Sequence, residues 1–127
     1  MPVESTTRRE NLSFEISVSG HKLIADVSEK LGGANEGPDP HDYLQAALAA
    51  CTAITMQMYA NRKGIPLTSS DIKVQIIKEG LENQIRREIK LIGDLTEEQR
   101  TSLFNIAEKC PIHHLLQRGA QIESHLV

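Results

Sequence analysis

The chain has 127 residues, with 14 Lys and Arg against 17 Asp and Glu, so its formal net charge is -3. This length predicts one domain over residues 1–127, because typical domains run to about 100–150 residues. Aromatic residues make up only 3% of the sequence, and Trp is absent. An acidic chain with few aromatic rings argues against nucleic-acid binding, which needs positive charge and stacking platforms.

Neither a signal peptide nor a membrane span is evident in the sequence. The N-terminal residues 1–10 are polar and lack an apolar core. The longest apolar stretch, residues 44–59, is interrupted by glutamines and falls short of the ~20 residues that a membrane helix needs. We therefore expect a cytoplasmic protein, without a membrane partner, whose two cysteines are thiols.

The first half of the sequence predicts a β-hairpin, a shaped loop and a long helix. Residues 14–18 alternate apolar and polar side chains, a Ser-Gly turn follows, and residues 23–27 continue the extended pattern. Residues 31–40 contain three glycines and two prolines, which is typical of a loop. Helix-forming residues then occupy positions 42–62, bounded by proline before and glycine after.

This predicted helix is apolar on nearly every side. One stripe follows the spacing of a helix face and consists of Leu44, Leu48, Cys51, Ile54, Thr55 and Met58. A second stripe of small residues, which allows close approach of another backbone, consists of Ala46, Ala50, Ala53 and Ala60. Because one short chain can hardly cover both stripes, we expect the helix to be shared with a partner subunit.

The second half predicts another hairpin and two shorter elements. Alternation predicts strands at residues 71–78 and 84–92, and a capping box from Thr96 to Gln99 starts a helix. Pro111 breaks or restarts that helix, and residues 122–127 predict a last strand. The order of hairpin, helix, hairpin, helix and strand indicates an α+β fold.

The two cysteines are the candidate reactive residues of the sequence. Cys51 and Cys110 each lie on the apolar stripe of a helix, where cysteine commonly fills the core. Apolar surroundings raise the pKa of a thiol, so reactivity requires a cation or a hydrogen-bond donor at the sulfur. The candidate cations are Arg8, Arg9, Arg86 and Arg87, of which the last two fall on opposite faces of a strand.

A metal site is the weaker interpretation of this region. The Cys-Pro-Ile-His-His run at residues 110–114 falls short of a four-ligand zinc pattern, and its adjacent histidines point in different directions on a helix. We therefore expect no bound metal, although a Cys/His metal-binding module stays open as an alternative.

Two segments resemble the cysteine motifs of a known family. The first consists of Gly32-Gly33, residues 37–44 and residues 46–55 around Cys51, and it continues through residues 58–67. The second is the Cys-Pro-Ile-His sequence that begins at Cys110. In this order they resemble the motifs of the OsmC/Ohr family, the osmotically induced and organic-hydroperoxide-resistance proteins. The resemblance extends from about His21 to the C-terminus.

This resemblance implies a fold, an activity and a set of site residues. The fold would be a single OsmC-like domain over 1–127, with antiparallel sheets wrapped around two central helices in an intertwined homodimer. The activity would be reduction of organic hydroperoxides at the dimer interface, which protects against oxidative stress. By position, the resemblance implies that Cys51 would be the peroxidatic thiol and Cys110 the resolving thiol. Asp42 stands where the family commonly has glutamate, and the activating cation would be Arg8 or Arg9.

The implied chemistry needs only sulfur and an external reductant. The Cys51 thiolate attacks the peroxide and becomes a sulfenic acid, Cys110 condenses with it to a disulfide, and an external dithiol restores both thiols. No metal, flavin or haem cofactor is required. The alternative is a non-catalytic OsmC-like protein that binds a small apolar ligand at the dimer interface.

Overall fold

In the computed structural model, which describes residues 2–127, the chain begins with a three-stranded antiparallel sheet. Strand β1 spans Val3–Glu10, β2 spans Ser13–Val18 and β3 spans His21–Ala25, with β2 in the middle. The hairpin of β2 and β3 confirms the prediction, and both residues of its Ser-Gly turn have positive φ. The sequence pattern does not predict β1, because all of its residues are exposed and show no apolar alternation.

A buried carboxylate organises the loop that follows β3. Asp26 accepts hydrogen bonds from the backbone N–H groups of Val27 at 2.7 Å, Ala34 at 3.2 Å and Glu36 at 3.1 Å. The Glu36 and Val27 donors are the main reasons why the pKa of Asp26 lies below its ordinary value, and the charge of Arg9 adds to them while burial opposes them. The loop is therefore held in shape by one ionised side chain.

Two glycines of this loop lie where a side chain has no room. A Cβ atom at Gly33 would clash with the Val27 carbonyl oxygen and with the Asp26 carboxylate. A Cβ atom at Gly37 would clash with the carbonyl oxygen of Ile24. Glycine is required at both positions because the loop backbone approaches residues 24–27 so closely.

Helix α1 spans Pro40–Lys63, close to the predicted range. It ends at Gly64, whose φ of 68° suits glycine and stops the helix. The chain divides within α1 into two compact units, one up to Leu44 and the other Gln45–Val127. Within residues 2–127, no helix has the length and apolarity that crossing a membrane requires.

The second unit adds a two-stranded antiparallel sheet and two helices. Their bounds are Leu67–Lys78 for β4, Gln84–Gly93 for β5, Glu97–Ala107 for α2 and Pro111–Arg118 for α3. The predicted hairpin, the capping box of Thr96 and Gln99, and the restart of the helix at proline are all confirmed. These boundaries follow from local sequence because caps and prolines act within one turn.

The predicted last strand at residues 122–127 is wrong. The structure has neither helix nor strand after Arg118, and the apolar side chains of this segment are exposed. A strand needs a neighbour that completes its hydrogen bonds, and no strand of residues 2–127 pairs with this segment. Apolar alternation alone therefore overpredicts it.

The core of the second unit decides which face of α1 is buried. Its residues are Met56, Ala60, Leu67, Leu103 and Ala107. On α1 the buried side chains recur at every fourth position, as Leu48, Thr52, Met56 and Ala60. Neither predicted stripe therefore matches the buried face. Ile54 and Met58 of the first stripe are 58% and 66% exposed, whereas Ala60 of the small-residue stripe is fully buried. Periodicity cannot indicate the buried face of a helix that is apolar nearly all round. Packing against β4 and α2 determines which face of α1 is buried.

The opposite side of α1 is apolar and exposed. This exposed α1 face consists of Ala46, Ala47, Ala50, Ile54 and Met58. A contiguous apolar surface of this kind is typical of an interface.

Candidate active site

Cys51 lies on α1 beside two threonines. Its side chain is half-buried, and its Sγ is 3.9 Å from Oγ1 of Thr55, one turn further along the helix. The next residue, Thr52, is fully buried and donates its hydroxyl proton to the Leu48 carbonyl oxygen at 2.7 Å. The hydroxyl groups of Thr52 and Thr55 thus lie near the thiol along the helix.

Cys110 is fully buried at the corner between α2 and α3. It is the N-cap of α3, with Pro111 in the first turn, and its Sγ accepts a hydrogen bond from the His113 backbone N–H at 3.4 Å. The first N–H groups of a helix need acceptors, and here a sulfur takes the place of the usual oxygen. The cap therefore fixes the direction of this thiol.

The pKa of the Cys110 thiol is raised above its ordinary value. Burial is the main cause, since an apolar site disfavours the thiolate. The Cys51 thiol lies close enough to raise the pKa further, while the N–H groups of His113 and Ile112 lower it. Both cysteines are free thiols, and the second unit brings them together as neighbours.

An arginine on β5 reaches the same region. The side chain of Arg87 is only 9% exposed while Arg86 is exposed, which confirms their predicted placement on opposite faces. Nη1 of Arg87 donates to Oγ1 of Thr52 at 3.0 Å and to the Ala107 carbonyl oxygen at 3.3 Å. Its Nη2 lies 3.4 Å from Oε2 of Glu108. One guanidinium therefore connects α1 with the end of α2.

Glu108 extends this contact to a histidine. Its Oε2 is 3.5 Å from Nε2 of His113, whose ring meets that of His114 edge-on with centroids 5.7 Å apart. Nδ1 of His114 is buried and has no hydrogen-bond partner within residues 2–127. Over the same described range, no group of three or more His, Cys, Asp or Glu side chains is placed to hold a metal ion.

Asp42, the third predicted site residue, lies in the first unit at the start of α1. Its N–H donates to Oδ1 of Asp39 at 2.8 Å, and its carboxylate accepts from the Asp39 N–H at 3.1 Å. This reciprocal pair caps the helix. The carboxylate thus has a structural task, and its catalytic role stays a prediction.

The arginines predicted to activate the thiol also belong to the first unit. Arg8 donates through Nε to the Asn11 carbonyl oxygen at 2.7 Å. Arg9 donates to Oγ of Ser13 at 2.9 Å and lies 3.4 Å from Oε2 of Glu36. Their role as activating cation likewise stays a prediction.

Sequence comparison decides the family. A family model described as OsmC-like protein matches residues 33–125, which is most of the chain. The chain belongs to the OsmC-like protein family. No curated protein matches its sequence.

Solved structures of OsmC-like proteins share the fold. An OsmC-like protein from Mycoplasma pneumoniae has 17% identity and a TM-score of 0.72, covering 92% of this chain and 88% of that chain. An organic hydroperoxide resistance protein OsmC from Legionella pneumophila has 22% identity and a TM-score of 0.60, covering 89% and 86%. The organic hydroperoxide resistance protein OhrB of Bacillus subtilis has 23% identity and a TM-score of 0.55, covering 89% of each chain. The α+β architecture with antiparallel sheets is thus the OsmC-like fold.

The contacts of Arg87 are what sequence reasoning missed in this OsmC-like chain. Alternation with Arg86 on β5 predicts that one of the two side chains points inward. It does not predict that the inward one reaches Thr52 and Ala107, because those residues lie 35 and 20 positions away along the chain.

We expect the buried Cys110 thiol to make the OsmC-like fold less stable at alkaline pH. Because the folded-state pKa is raised, the unfolded chain releases its proton first as pH rises above the ordinary value of 9.0. The free energy of unfolding therefore falls as the pH rises from the ordinary pKa of the thiol to its folded-state pKa. Urea unfolding at neutral and alkaline pH measures this fall. Cys110→Ser is expected to remove the part of this fall that comes from the Cys110 thiol. Cys51→Ser is the control and is expected to keep most of the fall, because burial is the main cause of the raised pKa. A Cys110→Ser curve parallel to that of the original protein would contradict the prediction.

Proposed function

We propose that this OsmC-like protein is a thiol-dependent peroxidase that reduces organic hydroperoxides, with Cys51 as the peroxidatic and Cys110 as the resolving thiol. The observation that carries the proposal is the pair of free thiols in the second unit, one half-buried and the other fully buried. The family supports a role in peroxide resistance, and the Legionella and Bacillus relatives are named for resistance to organic hydroperoxides.

The difference in burial supports this assignment of roles. Cys51 is accessible enough to meet a peroxide, whereas Cys110 has no exposed surface. The Cys51 thiolate attacks one peroxide oxygen, the O–O bond breaks, and an alkoxide leaves and takes a proton. Cys110 then attacks the sulfur of the Cys51 sulfenic acid, an S–S bond forms, and water leaves. An external dithiol reduces this disulfide, as expected for a protein that works in the reducing cytoplasm.

Two parts of the proposed site depend on the family resemblance alone. Asp42 would help to hold Cys51 as thiolate, and Arg8 or Arg9 would supply the activating cation. In the structure each of these three side chains has partners within its own unit. Their contribution to the chemistry is therefore proposed from their position in the sequence.

We also propose that the working form is a homodimer of single OsmC-like domains over 1–127. The family match covers residues on both sides of position 44, which supports one domain. The exposed α1 face supports a second copy of the chain as its cover, because such an apolar surface is unfavourable in water.

The proposal is tested by adding one equivalent of cumene hydroperoxide or hydrogen peroxide to the reduced protein. We expect an intramolecular Cys51–Cys110 disulfide, detected by mass spectrometry without reductant, and faster reaction with the organic peroxide. The helix stripes on which the sequence places both thiols are largely aliphatic, and each substrate methylene buried against such a surface contributes about 0.8 kcal/mol. Equal rate constants for the two peroxides would contradict the organic preference, and the absence of any reaction would contradict peroxidase activity.

The second candidate, a non-catalytic OsmC-like protein that binds a small apolar ligand, is favoured by the burial and raised pKa of Cys110. Such a thiol acts as a core residue unless a neighbouring sulfur is oxidised. The same experiment separates the two functions, because a binding protein would leave the hydroperoxide unconsumed.

A further inference from the structure

One guanidinium touches both segments that carry the cysteines. Nη1 of Arg87 donates to the hydroxyl of Thr52, the residue after Cys51, at 3.0 Å. The same nitrogen donates at 3.3 Å to the carbonyl oxygen of Ala107, the last residue of α2 before the Cys110 corner. The two thiols are therefore linked through a third element, the strand β5.

The linking side chain is itself firmly held. Arg87 is paired with Val74 across the β4–β5 sheet, and its side chain is only 9% exposed. The Thr52 hydroxyl accepts from Arg87 while it donates to the Leu48 carbonyl oxygen at 2.7 Å, so its rotamer is fixed from both sides. Glu108 balances the charge, with its Oε2 at 3.4 Å from Nη2. A planar guanidinium presents several donors in a rigid arrangement, which a lysine does not.

We propose that Arg87 is a positioning residue that holds Cys51 and Cys110 at the separation and angle needed for disulfide closure. The inference rests on the proposed function, because closure follows oxidation of Cys51 by a hydroperoxide. In that step the Cys110 sulfur attacks the sulfur of the Cys51 sulfenic acid. The S–S bond forms, the S–O bond breaks, and the released hydroxide leaves as water with the thiol proton. Arg87 touches neither sulfur in this step and acts through Thr52 and Ala107.

The first experiment measures disulfide closure after rapid oxidation with cumene hydroperoxide, by quenching with a thiol-alkylating reagent and mass spectrometry. Arg87→Met is expected to slow closure at least about tenfold, because a misplacement of about 1 Å can cost about 10²-fold in rate. Closure is expected to slow more than formation of the sulfenic acid. Arg86→Met, on the exposed face of the same strand, is the matched control and should stay within about twofold of the original protein.

Two further variants separate geometry from charge. Arg87→Lys keeps the charge but not the planar donors, so it is expected to close as slowly as Arg87→Met. Thr52→Val removes one acceptor of the Arg87 guanidinium at nearly constant volume. It is also expected to slow disulfide closure, so the proposal can be tested even if Arg87→Met does not fold. Full rescue by lysine, or sulfenic acid formation that slows as much as closure, would mean that Arg87 acts as a cation and would overturn the proposal.

A second experiment does not depend on peroxide chemistry. The dithiol and disulfide forms are equilibrated with reduced and oxidised dithiothreitol, and Arg87→Met is expected to shift the equilibrium towards the dithiol by about tenfold or more relative to Arg86→Met. If the original protein ignores hydroperoxides but this shift is found, the proposed function fails and the positioning role of Arg87 stands. If the two variants give the same equilibrium, or if the original pair does not close, the positioning role is overturned.

Discussion

Replacing Cys51 by serine is expected to abolish hydroperoxide consumption, whereas replacing Cys110 by serine leaves the first turnover. A serine hydroxyl at neutral pH is far too weak a nucleophile to attack an O–O bond. Cys51→Ser should therefore lower the rate of hydroperoxide consumption to the rate measured without protein. Cys110→Ser keeps the half-buried Cys51 thiol, which is the proposed site of attack on the peroxide. It should therefore consume about one equivalent of cumene hydroperoxide and stop at the sulfenic acid, which excess peroxide then overoxidises.

These two variants control for each other, since each removes one sulfur and keeps the other. Peroxide loss is followed by a colorimetric assay, and the oxidation state of the remaining cysteine is read by mass spectrometry. If Cys51→Ser kept the first turnover and Cys110→Ser lost it, the roles would be reversed. If neither substitution changed the rate, both cysteines would be core residues and the peroxidase proposal would be wrong.

The second large effect is expected from Ala50→Arg, which should convert the proposed homodimer into monomers. Ala50 lies on the exposed α1 face, beside an Ile54 that is 58% exposed and near a Met58 that is 66% exposed. A two-fold interface would place two such arginines against apolar surface, because both subunits present the same patch. An unpaired buried charge costs several kcal/mol, so the dimer dissociation constant should rise at least about a hundredfold.

Sedimentation velocity at micromolar concentration measures this effect. Thr101→Arg, at an exposed position on α2, adds the same charge elsewhere and serves as the control. The control is expected to remain a dimer with the thermal stability of the original protein. A stable folded monomer of the original protein would contradict the dimer proposal, and so would an unchanged Ala50→Arg dimer.

Local chemistry in the sequence predicts most of the elements. The Thr96–Gln99 capping box, the proline that starts α3 and the alternation of β4 and β5 act within a turn or a pleat, so they need no knowledge of distant residues. The two cysteine motifs also indicate the family by their residues alone, and the match over residues 33–125 agrees. The arrangement of the thiols beside one another, by contrast, is implied only through that resemblance.

Tertiary structure alone decided three features. Alternation predicts a strand at residues 122–127, but a strand exists only where another strand completes its hydrogen bonds. Helical periodicity could not choose between the faces of α1, and packing against β4 and α2 buried the face with Thr52 instead of the one with Ile54.

The contacts of Arg87 are the third such feature and the one that bears on function. The sequence by itself determined where the helices and most strands lie, which residues could react and the family to which they belong, because these depend on neighbours along the chain. Only the folded chain brings the β5 guanidinium to Thr52 and Ala107, because contacts over such sequence separations depend on how the sheet and both helices pack.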